Sequence, residues 1–154
     1  MKQLKFPILI TLLLLGDQLS KLMVVRYLNL NEAINFIPGL LGFRHLRNNG
    51  AAFSLLQNQQ ALFALITIVV LSIAVYYLWK ERESKTVFPW ALSLVIAGGL
   101  GNFIDRLRWG YVVDMLETRF MDFPIFNIAD SYLSIGVFLL FIYLIKEEWN
   151  GSNH

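Results

Sequence analysis

The residues that could do chemistry are concentrated in three short motifs late in the chain. Gly101-Asn102-Phe103-Ile104-Asp105-Arg106, Val112-Val113-Asp114 and Phe126-Asn127-Ile128-Ala129-Asp130 contain three aspartates, two asparagines and an arginine between two long apolar runs. Ionisable groups beside a membrane span are costly to keep there, so they are functional candidates. Two carboxylates that face each other in a low-dielectric setting hold a single proton between them. Such a pair can activate water, one group as general base and the other as proton donor to a carbonyl oxygen or leaving amine. Asp114 and Asp130 are the pair to which this chemistry is assigned. Asparagine and arginine side chains supply donors that align a backbone.

Other chemistries lack their residues. The chain has no cysteine, so disulfides, thiolate nucleophiles and thiolate metal sites are excluded. Two histidines, His45 and His154, do not make a His-rich metal site, and no His-Glu-x-x-His pattern occurs. Neither a Gly-x-Ser-x-Gly elbow nor a Gly-rich phosphate loop is present, and no cofactor is expected. A net charge of +2 without a basic cluster gives no sign of a nucleic-acid partner.

The elements that must position the aspartates are membrane spans. The chain is 56% hydrophobic and only 16% charged, against a usual ~25% charged. The apolar excess lies in runs too long for a soluble core. Lys2 and Lys5 precede the first run, which resembles a signal peptide, but no small-residue cleavage site follows. An uncleaved helix over 4–24 spans roughly 30 Å, the hydrocarbon thickness. Further spans are expected near 60–79, 86–106 and 128–146, in one domain covering 1–154. Tyr76, Tyr77 and Trp79 form an aromatic belt at the end of the second. Ala97 and Gly101 have the spacing that lets a neighbouring helix approach closely. Lys146-Glu147-Glu148 is expected to end the fourth helix, and Asn127 and Asp130 share a face in its first turn.

Between the first two spans, 27–57 reads as short surface strands broken at Pro38-Gly39. Asn49-Gly50 is a hairpin signal, so Asn48-Asn49-Gly50 reads on spacing alone as a turn. A short surface helix is expected around 115–121, with Asp114 in a loop. Asp17 and Lys21, at i and i+4, suit a helical ion pair, and Asp105 and Arg106 suit structural pairing or substrate contact.

Four spans in alternation bring the polar motifs to one membrane face. The end of span one carries Asp17 and Lys21, the end of span three Asn102, Asp105 and Arg106, and the start of span four Asn127 and Asp130. The loops with Asn48, Gly50 and Asp114 lie on that face too. The other side holds Lys2, Lys5, Lys80, Arg82, Lys85 and Lys146, and the motif side Lys21, Arg26, Arg44, Arg47, Arg106, Arg108 and Arg119. These totals do not fix the orientation. Once the site residues Lys21 and Arg106 are discounted, the balance favours cytoplasmic termini.

Taken together and in order, Asp17-Gln18-Leu19-Ser20-Lys21, Asn48-Asn49-Gly50-Ala51-Ala52-Phe53, Gly98-Gly99-Leu100-Gly101-Asn102-Phe103-Ile104-Asp105-Arg106, Val112-Val113-Asp114 and Phe123-Pro124-Ile125-Phe126-Asn127-Ile128-Ala129-Asp130 resemble the successive motifs of the bacterial lipoprotein signal peptidase (signal peptidase II) family. The resemblance implies an all-α membrane aspartyl peptidase. It would have four transmembrane helices, a small extracytoplasmic β-cradle and a short surface helix. It would be multi-pass in the bacterial cytoplasmic membrane, with its site near the outer face. The implied substrates are prolipoproteins carrying diacylglycerol on the lipobox cysteine, cut just before that cysteine. Cyclic peptide antibiotics such as globomycin inhibit the family. Membrane lipid is a further partner, and a monomer is expected. Asp114 and Asp130 match the catalytic dyad. Asn48, Gly50, Asn102, Arg106 and Asn127 match positions that shape the site or hold substrate, while Asp17, Lys21 and Asp105 have supporting roles. One departure is Met115, where an aromatic or other bulky apolar residue commonly follows the aspartate. The rival from another class, an ion-coupled carrier subunit, would place carboxylates near the midplane of several helices rather than at their ends.

Overall fold

The computed structural model describes residues 4–50 and 60–151, which form four helices and a three-stranded sheet. The sequence expectations for Ala51-Ala52-Phe53 and the rest of 51–57 lie outside the described residues. The helices are α1 (Lys5–Tyr27), α2 (Gln60–Lys80), α3 (Phe88–Trp109) and α4 (Ile128–Gly151). By length and composition α1, α3 and α4 can each cross a membrane, and α2 adds an apolar stretch over Ala64–Lys80. Their outward faces are apolar: Leu12, Leu65 and Phe138 are each about 60% exposed. Contiguous apolar surface of that kind belongs against lipid rather than water.

Helix α3 is the centre of the bundle and packs on α1, α2 and α4. Pro89 opens it and Gly110 closes it in a left-handed conformation (φ 76°), with the Gly110 N–H donating to the Arg106 carbonyl. This is the usual proline-first, glycine-last asymmetry. Its glycines permit close approach on two sides. A Cβ at Gly98 would collide with the Ala129 carbonyl of α4, and one at Gly99 would meet Leu71 of α2. At Gly101 a Cβ would come within 2.5 Å of Asp17 Oδ2, so this glycine makes room for a carboxylate as well as for a helix.

The sheet comprises β1 (Ala33–Ile37), β2 (Leu41–Asn48) and β3 (Val112–Thr118), all antiparallel in the order β1-β2-β3. Pro38-Gly39 is the turn of the first hairpin: Gly39 has φ 73° and the Leu40 N–H donates to Ile37 O. Proline then glycine at the two central positions is the type II pattern.

Two expectations are corrected. There is no short helix at 115–121. Residues 112–118 are strand β3, and Asp114 lies within it opposite Leu46 of β2, not in a loop. An isolated helix of two turns cannot repay its nucleation cost, whereas β2 offers a full ladder to the β-branched pair Val112-Val113. Met115 is buried under the sheet with Val24 and Val113, so the departure at this position packs inward. Helix α4 also does not stop at Lys146-Glu147-Glu148 but runs on to Gly151. Lysine and glutamate are good helix formers, and the end of an apolar run is not the end of a helix.

Candidate active site

The C-terminal parts of α1 and α3, the start of α4 and the inner ends of β2 and β3 meet at one point. Asp17 and Lys21 are one turn apart on α1, and both are buried. Lys21 Nζ lies 2.9 Å from Asp17 Oδ2, 3.0 Å from Asp105 Oδ2 and 3.0 Å from Asn102 Oδ1. An ammonium has three protons, and here each has an acceptor. The two carboxylates also accept from the backbone. Ala129 N–H, in the first turn of α4, donates to Asp17 Oδ1 at 3.0 Å, and Val113 N–H, in β3, donates to Asp105 Oδ2 at 3.2 Å. One buried charge cluster therefore ties α1 and α3 to both elements that carry Asp114 and Asp130.

Because Lys21 occupies Oδ1 of Asn102, the amide nitrogen must face the other way. It donates to Asp130 Oδ1 at 2.7 Å. The other oxygen of Asp130 accepts from the backbone N–H of Asn127 at 3.1 Å, while Asn127 Oδ1 accepts from the Asp130 N–H at 2.9 Å. This reciprocal pair is a capping box, built from Asn127 and Asp130 three residues apart at the start of a helix. The Asn127 side chain also reaches β3, where its Nδ2 donates to Asp114 Oδ1 at 2.7 Å. Asn48 Nδ2 donates to Asp114 Oδ2 at 2.9 Å, and Asn48 Oδ1 accepts from the Gly50 N–H, so Asn48 both forms the turn and holds the carboxylate. Its place two residues along β2 from Leu46, the partner of Asp114, puts it on the same face of the sheet.

Asp114, Asp130, Asn48, Gly50, Asn102 and Arg106 line a cleft of about 990 Å³, with Met121, Phe123 and Ile135 among its apolar walls. Asp17, Lys21, Asp105 and Asn127 stand behind this lining. Arg106 donates to the Gly50 carbonyl at 3.1 Å, fixing the chain as it leaves β2. Burial pushes the Asp114 carboxyl up to about 6, and the neighbouring Asp130 charge adds to that push. The amides of Asn48 and Asn127 and the Lys21 cation pull the other way. A carboxyl so placed is poised to exchange a proton near neutral pH.

All ten residues singled out in the sequence thus gather here. One participant was not singled out. Gln18 Nε2 donates to Asp105 Oδ1 at 2.9 Å and lies 3.2 Å from both Gly101 O and Asp17 Oδ2. Its only signal was its place between Asp17 and Lys21. The backbone donors of Val113 and Ala129 had no signal at all.

The chain is similar in sequence and fold to known proteins. The family model described as signal peptidase (SPase) II matches residues 9–146. The lipoprotein signal peptidase of Streptococcus agalactiae serotype V is 53% identical over 154 residues, covering all of both chains. That of Streptococcus pyogenes serotype M2 is 51% identical over 152 residues, covering 99% of this chain and all of the other. A solved structure described as a bacterial membrane enzyme superposes with a TM-score of 0.90 at 38% identity, covering 95% of this chain and 90% of that one. With the motifs in one cluster and the match running nearly end to end, the chain belongs to the signal peptidase II family.

Proposed function

We propose that Asp114 and Asp130 are the catalytic dyad of this aspartic-type signal peptidase. The substrate is a prolipoprotein with diacylglycerol on its lipobox cysteine, and the bond cut is the one just before that cysteine. The observation that carries the reading is the difference in what holds the four aspartates. Asp17 and Asp105 are bonded by an ammonium and stand behind the cleft, whereas Asp114 and Asp130 face the cleft and are bonded by amides.

In this reading the dyad carries one proton. The ionised carboxylate takes a proton from water as the oxygen attacks the scissile carbonyl carbon. The protonated partner donates to the carbonyl oxygen, giving a tetrahedral diol. The first carboxyl, now protonated, then passes its proton to the leaving amine as the C–N bond breaks. The oxygen-borne proton returns to the partner, restoring the starting state. Amide donors hold both carboxylates in place without neutralising them, which keeps a base available. Asn48, Gly50, Asn102 and Arg106 align the substrate backbone. Asn127, Asp17, Lys21 and Asp105 hold the frame. The apolar wall at Met121, Phe123 and Ile135 suits an acyl chain, and cyclic peptide antibiotics of the globomycin type compete for the same cleft.

The proposal includes a monomer with four spans and both termini cytoplasmic in the bacterial cytoplasmic membrane. The sheet and the site then lie near the outer face, in contact with lipid. Reporter fusions after Asn58 and Asp122 should read outside and one after Ser84 inside. An outside reading at Ser84 would overturn the orientation. The function itself is tested by gel-shift cleavage of one prolipoprotein with and without its diacylglycerol. Only the lipidated form should be cut by the purified protein. Equal cleavage of both, or of neither, would contradict the assignment.

A further inference from the structure

The cations at the two ends of the bundle differ in kind. Away from the site they are mostly lysines: Lys5, Lys80, Lys85 and Lys146, with Arg82. At the site end the one lysine, Lys21, is buried in its ion cluster, and every other cation is an arginine: Arg26, Arg44, Arg47, Arg106, Arg108 and Arg119. Outside the buried cluster and the dyad, three acidic residues answer these six: Glu32, Glu117 and Asp122. Glu117 is shared by Arg44 and Arg119, each at 2.7 Å, and Glu32 is bonded to the Asn29 backbone and side chain. Arg106 is bonded to Gly50 O.

That leaves Arg26, Arg47 and Arg108. All three are exposed, and among the described residues none forms an ion pair with a carboxylate. Each lies by an aromatic ring instead: Arg108 at 4.4 Å from the Trp109 centroid, Arg47 at 4.8 Å from Tyr111 and Arg26 at 6.0 Å from Tyr27. Their positions fix a level. Arg26 is in the last turn of α1 and Arg108 in the last turn of α3, while Arg47 is opposite Val113, just beyond the end of α3. Two span ends and the sheet root thus put three arginine–aromatic pairs at one membrane boundary. Tyrosine and tryptophan settle at headgroup depth. A guanidinium offers a planar fork that grips phosphate oxygens two at a time, which an ammonium cannot do. A favourable helix dipole would explain a cation at Arg26 and Arg108, but lysine would serve as well, and Arg47 is on a strand.

We propose that Arg26, Arg47 and Arg108 form a rim that binds the phosphates of anionic phospholipids in the leaflet at the site end, seating the cleft at a fixed depth. The proposal rests on the membrane-spanning reading and not on the assignment of the dyad. Each cation close to an anionic surface favours it about fivefold, so three arginines should give a clear lipid preference.

The test uses the full chain in nanodiscs, either of phosphatidylcholine alone or with about one-third phosphatidylglycerol, and reads the thermal unfolding midpoint. The wild-type protein should unfold at a higher temperature in the anionic discs. The triple variant Arg26→Gln/Arg47→Gln/Arg108→Gln should lose most of that gain while unfolding normally in phosphatidylcholine. The same three changed to lysine should recover only part of it. Lys80→Gln/Arg82→Gln/Lys85→Gln, at the other end, should keep it. The proposal is overturned if wild type shows no gain, if the site-end triple keeps it, or if the far-end triple loses as much. It is also overturned if inorganic phosphate added to phosphatidylcholine discs reproduces the gain. A further contradiction is a site-end triple that keeps the lipid gain but loses cleavage of substrates with acidic residues after the cysteine, since the rim would then read the substrate. A failed cleavage assay with an intact lipid gain would count against the dyad and leave the rim standing.

Discussion

Asp17 and Asp105 on one side, Asp114 and Asp130 on the other, are two aspartate pairs linked through Asn102 and the strand and helix backbones, and they are held in opposite ways. The first pair shares Lys21, accepts backbone N–H bonds from β3 and α4, and does not line the cleft. The second pair lines the cleft and is held by the amides of Asn48, Asn102 and Asn127. A carboxylate gripped by a buried ammonium is a structural fixture, because its charge is neutralised and its lone pairs are filled. A carboxylate held by amides is oriented without being neutralised. In the proposed reading the same residue type serves as a rivet or as a reagent according to whether its partner carries charge.

The comparison breaks most visibly through the reagent pair. Asp114→Asn and Asp130→Asn should each reduce prolipoprotein cleavage by at least roughly 10²–10⁴-fold, the worth of general acid–base catalysis. Both should still insert, purify and bind a globomycin-like inhibitor. Asp17→Asn and Asp105→Asn should retain more activity than either, and should show their defect in the unfolding midpoint.

The rivet pair breaks through its cation. Lys21→Met leaves two carboxylates buried without their ammonium, which costs about 3–5 kcal/mol. A denaturant titration in detergent should show that loss. It should be largely relieved when Asp17→Asn and Asp105→Asn are added to the same chain. If Lys21→Met is stable but inactive, Lys21 belongs with the reagents.

Asn127 sharpens the comparison because it serves both roles at once. Asn127→Ser keeps an oxygen to cap the Asp130 N–H but removes the donor to Asp114. A hydrogen bond to a charged group is worth about 1.5–3 kcal/mol, so cleavage should fall roughly 10- to 100-fold, while the unfolding midpoint falls less than in Lys21→Met. The acid limb of the pH profile should also move to higher pH, since that amide is one of the groups lowering the proton affinity of Asp114.

The smallest effect is a pH slope in stability. The Asp114 carboxyl is raised from an ordinary 3.8 to about 6. The folded state therefore holds its proton more tightly than the unfolded chain does. The stability this gives is fully present below about 3.8 and is lost as pH rises through about 6. Unfolding curves should show this decline in wild type, and Asp114→Asn should lack that part of it.

Much of this was legible beforehand because it depends on local pattern. The apolar runs gave the helices to within a few residues, and alternation of direction was enough to bring Asp17, Asn102, Asp130 and Asp114 to one end. The i, i+3 spacing of Asn127 and Asp130 ahead of an apolar run put both in the first turn of α4, though not as a cap. What escaped was non-local. Strand β3 exists because β2, some seventy residues earlier, offers it a ladder, and nothing in Val112–Thr118 alone excludes a helical turn. The grip of Val113 and Ala129 on the buried aspartates is made by backbone N–H groups, which every residue but proline carries. Gln18 is one glutamine among several until α1 and α3 are packed together.

The central claim, that the amide-held pair shares a proton, is most directly tested by infrared spectroscopy of the protonated-carboxyl band at pH about 5 to 7, the range around the raised Asp114 value. Wild type should show one such band, titrating near 6. It should be lost or moved in pH in both Asp114→Asn and Asp130→Asn and persist unchanged in Asp17→Asn and Asp105→Asn. A band left unchanged in the first two variants and lost in Asp105→Asn would contradict the account.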